Sequence, residues 1–128
     1  MPLYRCTCPD GSLPESARAE IANALTEIHC DVTGAPKTFV HVFFFNDADA
    51  TAHAIAGTIR AGRTEDQKRD LHTRMAHAYA NAAKITQDSI TVTTTDIPAR
   101  WTMEGGSLLP EPGEEEAWLA KHHAAAES

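Results

Sequence analysis

Residues 2–9 (PLYRCTCP) alternate in the manner of a short strand, with Leu3, Arg5 and Thr7 on one side and Tyr4, Cys6 and Cys8 on the other. Asp10-Gly11 is a turn signal, and Pro14-Glu15 after Ser12 and Leu13 opens a helix. Ile21, Leu25, Ile28 and Val32 follow at spacings of four, three and four, which is one helical stripe. Gly34 ends that helix and Pro36 prevents its continuation. Residues 38–45 (TFVHVFFF) are β-branched and aromatic and predict the strongest strand of the chain. The Ala- and Asp-rich stretch 46–58 has weak periodicity and predicts a loop holding one short element at most. A second helix is predicted from Thr64 to about Lys84, with Leu71, Met75, Ala78 and Ala82 on one face. Residues 89–95 (SITVTTT) predict another strand, closed by Asp96-Ile97-Pro98. Beyond lie Gly105-Gly106, two prolines, the acidic run from Glu111 to Glu116 and an Ala-rich end, 119–128, expected to fray.

The two halves echo each other at an offset of 50 residues, with Glu15 over Glu65, Arg18 over Lys68, Glu20 over Asp70 and Ile21 over Leu71. Leu25 falls on Met75, Val40 on Ile90 and Val42 on Val92. Strand–helix–strand followed by the same again is what a duplicated β-α-β unit produces. The expectation is an α+β domain spanning 1–118, with halves of about 2–46 and 58–96 and a C-terminal segment 97–118. Such a unit makes a four-stranded sheet with two helices on one face. Its other face is bare, so Val40, Val42 and Phe44 or their neighbours need cover from other subunits, and oligomerisation is expected.

Composition narrows the classes. With 128 residues, 42% hydrophobic and 23% charged, the chain has the size and make-up of one soluble domain. A net charge of -7 argues against nucleic acid or an anionic membrane as partner. No apolar stretch approaches the roughly 20 residues a bilayer span needs. The start, MPLYRCTCPDG, lacks the basic head and apolar stretch of a signal peptide. Three cysteines (Cys6, Cys8, Cys30) cannot pair evenly within one chain, so a cytoplasmic protein is expected.

Several residues carry candidate chemistry. An initiator Met is removed when Pro follows, which would leave Pro2 a free secondary amine heading a strand. An α-amino group titrates near pH 7.7 to 8.0, and desolvation lowers it, so such a nitrogen serves as a base near neutrality. Read alone, Pro2 equally reflects nothing but processing. Arg60 and Arg63 lie three apart around a glycine just before the helix at Thr64. Two guanidinium forks beside a helix amino end make a carboxylate cradle, and equally a solvated surface pair. His29 sits at the edge of the first apolar stripe, suited to orienting an oxygen or to a structural place in the core. Glu104 precedes Gly105-Gly106, where backbone freedom lets a side chain be aimed. Trp101, Phe39 and Phe43 are candidates for an apolar wall. Cys6-x-Cys8 with His29-Cys30 matches no zinc-finger spacing, and the two strand cysteines read as small inward hydrophobes. His122-His123 lies in the tail and reads as surface.

The stretches ALTEIHCDVTG (24–34), TIRAGRTEDQK (58–68) and DIPARWTMEGGSLLPEPGEEEAW (96–118) resemble the tautomerase superfamily, and more narrowly cis-3-chloroacrylic acid dehalogenase and its homologues. The resemblance covers nearly the whole chain, with 46–57 shortened. It implies a homotrimer with sites between subunits, no cofactor and no metal. It also implies Pro2 as catalytic amine, His29 as its helping histidine, Arg60 and Arg63 on the substrate carboxylate and Glu104 as the acid that activates water. One position departs: the family's tyrosine falls on Thr93 in VTTTDIP. A threonine hydroxyl is too short to reproduce a tyrosine's hydrogen bonding, and addition of water needs a placed acid and base. Keto–enol transfer on a small 2-oxo or 2-hydroxy unsaturated carboxylate of arylpyruvate type therefore ranks first. Hydration or hydrolytic dehalogenation of cis-3-haloacrylate-type acids is the alternative within enzymes, and a non-catalytic trimeric module is the alternative outside them.

Overall fold

In a computed structural model, residues 2–104, 106–111, 113–114 and 116–121 are described, Glu104 by its backbone alone. The chain runs β1 (Leu3–Pro9), α1 (Glu15–Thr33), β2 (His41–Asp47), β3 (His53–Arg60), α2 (Glu65–Ala83) and β4 (Ile90–Ile97). A two-stranded ribbon follows, β5 (Met103–Glu104) and β6 (Ser107–Leu108). The main sheet has the order β2-β1-β3-β4. Each half contributes a parallel pair, β1 with β2 and β3 with β4, and the halves meet along the antiparallel pair β1–β3. The expected fold is therefore present: two β-α-β units, one four-stranded sheet, two helices on one face.

Local chemistry sets the helix limits. Gly34 closes α1 at φ 77°, and its N–H reaches Cys30 O. Thr64 caps α2 in a capping box, its hydroxyl accepting from Gln67 N at 3.1 Å and its own N–H donating to Gln67 Oε1 at 2.9 Å. The core lies between helices and sheet. Tyr4, Cys6 and Cys8 of β1 and Ile55 and Ile59 of β3 face Ile21 and Leu25 of α1 and Leu71, Met75 and Tyr79 of α2, all buried. Burying each large apolar side chain contributes about 1.5–3 kcal/mol. Leu3, Arg5 and Thr7 point to the opposite face, as their alternation predicts.

Two expectations need correction, and one is narrowed. The stretch 46–58 is not mainly loop, because β3 begins at His53, so the second half starts there and not at 58. His53, Ile55, Gly57 and Ile59 face the helices, but alanines between them and a glycine among them mute the alternation. The glycine is required: a Cβ at Gly57 would lie 2.6 Å from Tyr4 Cε1. On β2, Val42 and Phe44 pack against the core, and their neighbours Phe43 and Phe45 are the apolar residues of the open face. At the C-terminus, residues 119–121, expected to fray, belong to a helix over 116–121. Trp118 anchors it, donating its indole N–H to Leu108 O at 2.8 Å and meeting the Phe39 ring edge to face. Residues 122–128, with His122-His123, lie outside the described residues. Among the described residues no helix is long and apolar enough to cross a membrane.

Candidate active site

The topology gathers chemistry at one end of the sheet. β1 and β2 begin there, β3 and β4 end there, α1 arrives there and α2 departs. Pro2 therefore meets the last turns of α1, which carry His29, and the end of β3, which is Arg60. Pro2 is fully buried, and its carbonyl accepts from His41 N at 2.9 Å. Leu3 stands opposite Thr58 in the antiparallel register, so Pro2 continues beside Ile59, one residue from Arg60.

His29 is 1% exposed, with Nδ1 2.6 Å from the Tyr4 hydroxyl oxygen and the two rings edge to face at 5.6 Å. Its pKa is pushed down to about 3, chiefly by burial, then by the positive charges of Arg63, the chain's amino terminus and Arg60. Burial also raises the Tyr4 phenol, against a smaller opposing effect of Arg63. Both partners are thus neutral near pH 7. Nε2 of His29 is buried and has no hydrogen-bond partner among the described residues.

Arg60 is 3% exposed, donates from Nη1 to Pro110 O and lies 6.0 Å from the centre of the Phe39 ring. Arg63 is half-buried and donates from Nη1 to Thr33 O at 3.3 Å. Gln67 Nε2, donating to Val32 O at 3.2 Å, ties the start of α2 to the end of α1. The charges of two guanidinium groups thus reach the buried His29, and the amino end of α2 lies against the last turn of α1 beside it, a setting that favours an anion.

The structure brings together Pro2, His29, Arg60 and Arg63. It does not bring Thr93 to them within one chain: that residue is exposed on the open face of β4, opposite Ala56. Glu104 lies in β5 opposite Ser107, and its side chain is outside the description. Of the three aromatic candidates, Phe39 is buried beside Arg60, Trp101 is 72% exposed and Phe43 lies on the open face. Cys6 and Cys8 are core residues, and burial pushes the Cys6 thiol up to about 12. Among the described residues no group of three or more His, Cys, Asp or Glu is placed to hold a metal.

Two participants escaped the reading of the sequence. Tyr4 was legible only as inward-facing, and its bond to His29 spans 25 residues. The other is the C-terminal segment. Pro110 covers Arg60, and Leu109, Pro110 and Trp118 help line a cleft of about 550 Å³ beside it.

The family profile described as a putative oxalocrotonate tautomerase enzyme matches residues 1–99. The chain belongs to the tautomerase superfamily. Within it, this member is similar to N1, a crystal structure from the cis-3-chloroacrylic acid dehalogenase (cis-CaaD) family. The two share 32% identity over 98% of this chain and 96% of the other, with a TM-score of 0.90. Native Ps01740 shares 32% identity over 80% of this chain and 99% of its own, with a TM-score of 0.76. The fold alone is shared with a fused 4-OT trimer at 23% identity, covering 83% and 94% of the two chains with a TM-score of 0.75. A search among curated protein sequences returns no significant match.

Proposed function

We propose that this superfamily member is a cofactor-free keto–enol tautomerase for small 2-oxo or 2-hydroxy unsaturated carboxylic acids of arylpyruvate type, with Pro2 as its base. The observation that carries the reading is the convergence of Pro2, His29, Arg60 and Arg63 at one end of the sheet. In ketonisation the Pro2 nitrogen, freed by loss of Met1, takes the proton of the enol hydroxyl as the C2 carbonyl forms. It returns that proton to C3, which receives it on the electron pair of the former double bond. Arg60 and Arg63 hold the carboxylate, and their charge keeps the amine neutral near pH 7. His29 donates a hydrogen bond to the C2 oxygen, and Glu104 polarises Pro2 or a water. The working unit is a homotrimer whose subunits cover one another's open sheet faces, with sites shared between subunits. Exposed Phe43 and Phe45 support that part.

Likeness to N1 across nearly the full chain favours a second reading, hydration or hydrolytic dehalogenation of cis-3-haloacrylate-type acids. Thr93 at the family tyrosine counts against efficiency there. One set of assays separates the readings, on protein whose mass shows Met1 removed. Ketonisation of an arylpyruvate enol that falls by roughly 10²-fold or more in Pro2→Ala supports the first. Halide release from cis-3-chloroacrylate without ketonisation supports the second. Inertness to both leaves a trimeric module that has kept the fold without the chemistry.

A further inference from the structure

We propose that Tyr4 is the positioning residue of the site: its hydroxyl donates to His29 Nδ1, fixes the ring in its Nε2–H form and turns that proton toward an anionic ligand at the Pro2 end of the sheet. The inference rests on the tautomerase reading for its ligand class but on the chain's own geometry for its mechanism.

Three observations carry it. A single hydrogen bond of 2.6 Å joins Tyr4 and His29, and the two groups are buried and neutral. If Nδ1 carried the proton it would donate to the phenol oxygen, and the phenolic hydrogen would have no acceptor among the described residues. With the phenol as donor that hydrogen is used, and the remaining ring proton sits on Nε2, which has no partner among the described residues. A buried donor left unpaired is costly, and a hydrogen-bond acceptor removes that cost on binding. Arg60 and Arg63 lie close enough to depress His29, so the acceptor that suits this place is negatively charged.

The second observation is the space made for the tyrosine. Its ring lies over Gly57 on the neighbouring strand, where a Cβ would come within 2.6 Å of Cε1 and 2.7 Å of Cδ1. No backbone reason demands glycine there, since Gly57 is a β3 residue outside the positive-φ set. The missing side chain serves the ring.

The third is an internal control. The second half carries the same bond with the roles exchanged: His53 of β3 meets the Tyr79 hydroxyl through Nδ1 at 2.7 Å, rings edge to face at 5.3 Å. His53 stands at the start of β3, the end of the sheet away from Arg60. Breaking either bond removes one buried Tyr–His hydrogen bond, but only one of the two faces the cationic pocket.

The test pairs Tyr4→Phe with Tyr79→Phe, with ring-nitrogen NMR of the labelled wild-type protein and steady-state ketonisation. The expected result is Nε2–H on His29 in the wild type and loss of its hydrogen-bonded Nδ1 signal in Tyr4→Phe. The same variant loses roughly 10- to 100-fold in kcat/KM, whereas Tyr79→Phe changes turnover less than about twofold at a similar loss of stability. Gly57→Ala reproduces the Nδ1 change by displacing the ring. A wild-type His29 protonated on Nδ1 overturns the proposal, and so does equal turnover in the two Phe variants. Should the wild type fail to ketonise at all, the functional reading falls, and the NMR signals alone still decide the positioning role.

Discussion

His29 is where the chain concentrates a titratable group in an unfavourable place. A neutral imidazole is retained because burial and the charges of Arg63, the amino terminus and Arg60 all oppose protonation, holding its pKa near about 3. The unfolded chain faces none of these and takes up protons near the ordinary value of about 6.5. Between those two values the unfolded state binds more protons, so stability is fully present above about pH 6.5 and is lost as pH falls toward 3. His53 and His72 are also depressed, chiefly by burial, and act in the same direction. Urea titrations at pH 7, 5.5 and 4.5 are expected to show a steady fall in unfolding free energy, shallower in His29→Gln. An equal slope in that variant counts against the buried imidazole as a source. The same depression keeps His29 from titrating in the neutral range, so on the proposed tautomerase reading a neutral-pH limb of a rate profile is not to be assigned to His29.

At the scale of elements, the duplication allows like to be compared with like. α1 and α2 are both 19 residues long and end in the left-handed conformation 50 residues apart, at Gly34 with φ 77° and at Lys84 with φ 59°. Glycine adopts that conformation without strain, whereas a residue with a Cβ is disfavoured by about 1 kcal/mol or somewhat more. Lys84 is exposed, so Lys84→Gly is expected to stabilise the protein by about 1 kcal/mol in chemical denaturation, and Gly34→Ala to destabilise it by a similar amount. These helix ends were legible because their signals are local: Pro14-Glu15 and Gly34 for the first, Thr64 for the start of the second. Strand β3 was not, because its outward positions are Ala54, Ala56 and Thr58 and one inward position is Gly57. Its strand character comes from pairing on both sides, with β1 and with β4, rather than from its own hydropathy.

For the molecule as a whole, the open sheet face is the main unfinished surface. Phe43 and Phe45 are 37% and 44% exposed, their rings 5.4 Å apart, and the Arg5 guanidinium lies 4.3 Å from the Phe45 ring centre. Paired aromatics beside a cation on a sheet face suit burial against another protein surface. If copies of the chain supply that cover, the double variant Phe43→Asp, Phe45→Asp is expected to shift the native mass from a trimer to a monomer while the far-ultraviolet circular dichroism is retained. A trimer that survives both charges would remove this face from the interface. Because the proposed sites are shared between subunits, the monomeric variant should also lose ketonisation.

The amino-acid sequence by itself determined where the two long helices lie, which face of β1 turns inward, that one half of the chain repeats the other, and that a proline heads the first strand. Those properties depend on neighbours within a few residues, where hydropathy period and capping chemistry act. Its segments also carried the family resemblance that singled out His29, Arg60, Arg63 and Glu104. Only the tertiary structure decided that β1 and β3 run antiparallel through the centre of the sheet, and so that Arg60 ends beside Pro2. It alone paired Tyr4 with His29 across 25 residues and Arg60 with Pro110 across 50. Strand order and helix docking are set by packing between distant segments, and no short window of sequence contains both sides of that contact.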